Sequence, residues 1–121
     1  MSFKEEVARI VAGVPSCLAV TLMGRDGISV ESQVSPSAKL DVSAYFVELT
    51  AAFSQVEKSS DQLTTGDVNE LVVRTDNVDI VMRAVGKEYF LALAMPVYAN
   101  LGKGRYLLRV IAPKLRAELG A

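Results

Sequence analysis

The stretch Tyr89-Phe-Leu-Ala-Leu-Ala-Met-Pro-Val97 carries no charged side chain at either parity of position. Successive side chains of a strand point to opposite faces of its sheet. A strand of this composition therefore belongs inside a sheet that is covered above and below. Cys17 to Met23 is a second such segment, apolar on both alternating faces apart from Thr21. Two doubly buried strands demand two layers of helix, and the rest of the chain has to supply them.

Three segments have the required periodicity. Ser2 and Glu5 form a capping box, in which each side chain can satisfy the other residue's free amide. Phe3, Val7, Ile10, Val11 and Val14 follow at helical spacing until Gly13 and Pro15 stop the helix. Asp41 caps a long middle helix from Val42 to about Leu63, ended by Thr64-Thr-Gly-Asp67. A closing helix carries Leu107, Leu108, Ile111, Leu115 and Leu119, with Asn100 as its cap. Pro113 lies inside that pattern without an amide, its ring against the carbonyl of Arg109, which predicts a kink or early fraying.

Three further strands complete the sheet. Gly24-Arg-Asp-Gly27 is a turn whose glycines permit positive φ, and it leads into Ile28 to Val34, where Glu31 and Gln33 alternate with Val30 and Val34. Ser35-Pro36-Ser37 breaks the sheet. After the middle helix comes a meander of Glu70 to Thr75, Val78 to Val85 and Tyr89 to Val97, with turns at Asp76-Asn77 and Gly86-Lys87. Strands charged on one face suit the periphery and the first and last suit the centre, which gives the order 2-1-5-4-3. The expected fold is α+β: a five-stranded antiparallel sheet sandwiched by three helices, with helices 1 and 3 on one face and helix 2 on the other. With 121 residues, half of them hydrophobic, residues 1–121 should form a single domain with an adequate core.

The middle helix has more apolar surface than the sheet needs. At about 100° per residue, Val42, Tyr45, Phe46, Leu49, Phe53, Val56 and Leu63 form one stripe that should cover the sheet. Ala44, Val47, Ala51 and Ser54 fall on roughly the opposite side, with Lys58 at the border. Small uncharged residues allow another helix to approach closely. The sequence therefore predicts a homodimer made by antiparallel packing of this helix and extended by pairing of the edge strand, with Val72 and Arg74 joining the interface.

Other functions find little support. Lys and Arg total 13 against 14 for Asp and Glu, a net charge of −1, which leaves no basic excess for nucleic acid. The longest apolar runs are too short to span a bilayer, and the N-terminus has neither the basic nor the apolar region of a secretory signal. With Cys17 as the lone thiol, a cytoplasmic protein is expected. Lys103 in Gly102-Lys-Gly104 lacks the spacing and the following hydroxyl of a phosphate-binding loop, so the segment reads as a helix entry, with Arg105 a surface or interface charge. Histidine is absent, and Cys17 reads as an inert core thiol, so no nucleophile–base pair is available. Asp61, Asp67, Glu70, Asp76 and Asp79 lack the spacing of a calcium loop and read as solvated, while Met23, Met82 and Met95 read as core filler. No catalytic residue, metal or cofactor is expected. A small-molecule sensor or a generic interaction module remains the rival reading.

The order of elements, the Gly24-Arg-Asp-Gly27 turn, the long middle helix and the Asn100-Leu-Gly…Arg105-Tyr-Leu-Leu-Arg109 entry to the last helix together resemble the Roadblock/dynein-light-chain family, in particular its bacterial MglB/MglC-like members. The resemblance covers nearly the whole chain. It implies a non-catalytic dimeric regulator of a Ras-like small GTPase of the MglA type, in cell polarity or motility. It also implies two possible partners, the GTPase itself or an MglB-like Roadblock protein.

Overall fold

The computed structural model describes residues 2–38 and 41–120. Among these the chain runs α1 (Phe3–Gly13), β1 (Ala19–Gly24), β2 (Ser29–Val34), α2 (Val42–Leu63), β3 (Glu70–Arg74), β4 (Val78–Val85), β5 (Tyr89–Pro96) and α3 (Leu101–Leu119). The strands form one sheet in the order β2-β1-β5-β4-β3, and every neighbouring pair is antiparallel. Expected and observed strand ends differ by a residue or two, the ordinary uncertainty of strand limits.

Alternation along the strands sorts the core into two layers. Val20 and Leu22 of β1, Val81 and Val85 of β4, and Leu91, Leu93 and Met95 of β5 face Val7 and Ile10 of α1 and Leu108, Ile111 and Leu115 of α3. The alternate residues Ala19, Met23, Val78, Ile80, Met82, Phe90, Ala92 and Ala94 face Val42, Phe46, Leu49 and Phe53 of α2. Phe53 meets Phe90 with ring centroids 4.5 Å apart and planes tilted by 56°, an arrangement favoured by the ring quadrupoles. Burial of each such side chain contributes about 1.5–3 kcal/mol. Thr21, the polar exception in β1, donates its hydroxyl to Ser32 Oγ at 2.7 Å across the β1–β2 pair.

Local signals set the helix ends. Ser2 Oγ accepts from the Glu5 amide, Asp41 Oδ1 from Ala44 and Asn100 Oδ1 from Lys103. Asn100 thus makes Gly102-Lys103-Gly104 the first turn of α3. The α2 terminus uses Thr64, at φ 55, as its left-handed residue, with the Thr64 and Thr65 amides returning to carbonyls of the last turn. In the Gly24–Gly27 turn positive φ belongs to Gly27, at +86°, and not to Gly24.

Three expectations about packing need correction. The expected stripe includes the heptad column Val42, Leu49, Val56 and Leu63, but exposure along it rises from 2% through 8% and 38% to 73%. A straight α-helix turns a seven-residue column by roughly 20° per repeat, so the column leaves the sheet; Phe46 and Phe53 of the stripe stay buried, and Thr50 joins them. Pro113 does not fray α3, which continues to Leu119. Pro113 and Arg109 are both solvent-exposed, so water can reach the carbonyl that loses its partner, while Ile111, Ala112 and Leu115 hold the opposite side in the core. Asp79 and Glu70 are not merely solvated: Asp79 is 1% exposed and both carboxylates are in ion pairs. Asp79 lies on β4, an interior strand, with neighbours on both sides.

Gly104 fixes how closely α3 lies on β5. A Cβ there would come within 2.8 Å of Leu93 Cδ2 and 3.0 Å of Met95 Sδ, whereas one at Gly102 would meet only Asn100 Oδ1 at 3.5 Å. Gly104→Val should lower unfolding free energy by about 1–3 kcal/mol. Gly102→Ala should leave it unchanged or raise it by up to about 1 kcal/mol, from helix propensity. Urea denaturation followed by circular dichroism measures both, and equal effects at the two positions would refute the close-approach assignment.

Candidate functional site

The outward face of α2 is one place where apolar surface remains after the core is served. Ala44, Val47, Ala51 and Lys58 are exposed, with Val47 at 46%. Ser54 differs: it is half-buried on the rim of a cavity at one end of the sheet. Val56 and Leu63, rotated off the sheet, are exposed on the other flank of the helix, roughly 160–180° around it from Val47 at 100° per residue. The signal that reveals them is the mismatch between a seven-residue column and the 3.6-residue helical turn.

The edge-strand residues do not extend this face as a side-chain patch. β3 pairs only with β4 in this chain, so its outer edge is available for another strand. Val72 packs against the α1/α3 layer, however, whereas Leu71 and Val73 are the β3 residues that pack on the α2 side. Arg74 Nε and Nη2 donate to the two carboxylate oxygens of Asp79 at 3.1 and 3.3 Å. The structure therefore brings Ala44, Val47, Ala51 and Lys58 together on one helix face and places Val72 and Arg74 on the other side of the sheet, linked to the first group through the β3 backbone.

The cavity beside Ser54, about 470 Å³, contains the group that sequence reasoning missed. Arg25, read only as a turn residue, lies over the Phe90 ring at 4.4 Å and the Phe53 ring at 5.4 Å. Its Nη1 pairs with Glu57 and its Nη2 donates to the Gly86 carbonyl at 3.3 Å. The ring contacts are cation–π in character and hold the guanidinium against the sheet. Lys58, Lys87 and Arg116 share the lining with Asp61 and Asp67, so the walls are of mixed charge. No local pattern marks Arg25, because Glu57 is 32 residues away.

On the opposite face, Arg105 Nε and Nη2 donate to the two oxygens of Glu70 at 3.0 and 2.8 Å. These hydrogen bonds hold the Glu70 carboxyl below the ordinary glutamate range, with the charges of Arg105, Arg83 and Arg109 adding to the effect and burial opposing it. Burial pushes the Cys17 thiol up, partly offset by a backbone hydrogen bond, as for an inert core residue. Among the described residues no group of three or more Cys, Asp or Glu could hold a metal ion, and no helix is long and apolar enough to cross a membrane.

No family model and no curated relative matches the chain. Solved structures do. MglC from Myxococcus xanthus is 44% identical, covering 98% of this chain and 99% of that one, with a TM-score of 0.68. A Roadblock/LC7 domain from Streptomyces avermitilis aligns over the full length of both chains at 18% identity and a TM-score of 0.84. The gliding protein MglB from Thermus thermophilus is 14% identical, covering 93% of this chain and 84% of that one, with a TM-score of 0.82. The last two likenesses show the fold.

The lowered Glu70 carboxyl has a pH signature. Its stabilising contribution is complete above the unfolded value of about 4.3 and is lost as pH falls through the lower folded value. Glu70→Gln should therefore lower the melting temperature at pH 7, and the gap to the wild type should close on acidification below that range. Thermal melts between pH 7 and pH 2.5 check this, and a gap independent of pH would refute the ion-pair origin.

Proposed function

The chain belongs to the Roadblock/LC7 family as an MglC-like member, and from that premise we propose that it is a non-catalytic dimeric adaptor in a Ras-like GTPase module of the MglA type. It acts by holding partner surfaces in register across a two-fold axis, either on the GTPase directly or through an MglB-like Roadblock protein. The observation that carries this reading is the outward face of α2, where exposed Val47 stands beside exposed Ala44 and Ala51 on a helix whose other side already fills one core layer. Exposed apolar surface of this kind marks an interaction site.

The proposed dimer packs α2 against α2 in antiparallel fashion, with the β3 edges of the two protomers paired. Alanines at the contact let helices approach to about 8–10 Å. Strand pairing at β3 would also occupy an edge that otherwise invites indiscriminate association. A small-molecule-sensing role at the larger described cavity would have to use Arg25, whose guanidinium is already engaged by Glu57 and Gly86. The adaptor reading makes no such demand.

Light scattering should find the wild type dimeric at micromolar concentration and Ala51→Arg monomeric, with the circular dichroism spectrum unchanged. A variant that stays dimeric would exclude this face as the interface. Calorimetry with the MglA-type GTPase and the MglB-like protein encoded in the same genome should show binding to at least one of them. Binding to neither would overturn the adaptor role.

A further inference from the structure

A second surface, on the α3 side of the sheet, carries more positive charge than its own carboxylate balances. Arg83 of β4 and Arg105, Tyr106 and Arg109 of α3 line an open groove of about 320 Å³ beside Glu70 at the start of β3. Residues four apart share a helix face, so Arg105 and Arg109 project on the same side. Glu70 is the one acidic residue lining the groove, and Arg105 holds both of its oxygens. Arg83 and Arg109 act on that carboxylate only through charge. Neither makes a side-chain hydrogen bond or ion pair among the described residues. Arg109 lies 5.8 Å from the centre of the Tyr106 ring, which is more than half exposed. Three guanidiniums against one carboxylate leave two positive charges, one of them on half-buried Arg83, where a missing counter-charge is costly.

We propose that this groove docks an acidic segment of a protein partner, with two carboxylate side chains pairing with Arg83 and Arg109 and the intervening chain lying on the Tyr106 ring. Guanidinium forks match carboxylates bidentately. Arginine and tyrosine are the residue types that dominate protein interfaces energetically. A nucleic acid fits less well, because the chain as a whole is not basic. A phosphate cradle would need converging backbone amides, and the Lys103 amide at the α3 entry is taken by Asn100. The groove is complete within one protomer and lies on the face of the sheet opposite α2, so the inference goes beyond the adaptor reading and does not depend on the α2 dimer.

Fluorescence anisotropy at low ionic strength tests it with a short labelled peptide alternating glutamate with valine, and the same peptide carrying lysine for glutamate as control. The wild type should bind the acidic peptide and not the lysine peptide, with affinity falling as salt is added. Arg109→Ala and Arg83→Gln should each weaken binding on the order of tenfold, as expected for loss of a charge-assisted contact, while Lys114→Ala elsewhere on α3 should not. Arg109 is exposed, so its variant keeps the test valid even if Arg83→Gln fails to fold. The proposal is overturned if the wild type does not bind at millimolar peptide, if Lys114→Ala loses as much as Arg109→Ala, or if inorganic phosphate at equal concentration displaces the peptide. The last outcome would assign the groove to a phosphate-bearing ligand.

Discussion

Burial of β1 and β5 on both faces is the constraint on which the rest of the structure depends. β1 is buried along its length and β5 at all but its end residues. A strand in that position cannot be served by a single helical layer, so α1 and α3 must close one face and α2 the other. Residue size sets the spacing of each layer. Ala92 and Ala94 on β5 leave room beneath α2 for the Phe53–Phe90 pair, and Gly104 brings the α3 backbone down onto Leu93 and Met95. The charged strands β2 and β3 then take the edges, because no interior place remains for them.

The same constraint decides what happens to charge near the sheet. Three arginines from different elements each meet a carboxylate: Arg25 with Glu57, Arg74 with Asp79 and Arg105 with Glu70. The net contribution of such pairs is modest, since desolvation offsets much of the attraction, although removing one partner is costly. They do fix geometry: Arg105–Glu70 ties the first part of α3 to the edge strand, and Arg25–Glu57 ties the β1–β2 turn to the second half of α2.

Strand order, helix number, capping residues and the division of the core were all legible in the sequence, because each depends on alternation, periodicity or a cap within a few residues. Asn100 and Asp41 are clear examples, since their partners are three residues away. What was not legible depended on rotation or distance. Val56 and Leu63 left the sheet through a small angular drift that accumulates over three repeats. Asp79 looked solvated because its partner, Arg74, lies across a strand pair. Arg25 meets Glu57 only once the sheet has formed. The interface residues share this weakness: the α2 face could be drawn on a helical wheel, but the side to which Val72 and Arg74 point depends on β3 register.

Where a domain presents its surfaces decides what it can hold at once. The apolar face of α2 lies on one side of the sheet and the arginine groove on the other, so occupation of one leaves the other open. The β3 edge connects them, since Leu71 and Val73 look toward the α2 layer while Glu70 lies in the groove. A second strand added at that edge would present its own alternate side chains to both layers. The five residues of β3 are therefore the element that the two proposed surfaces share.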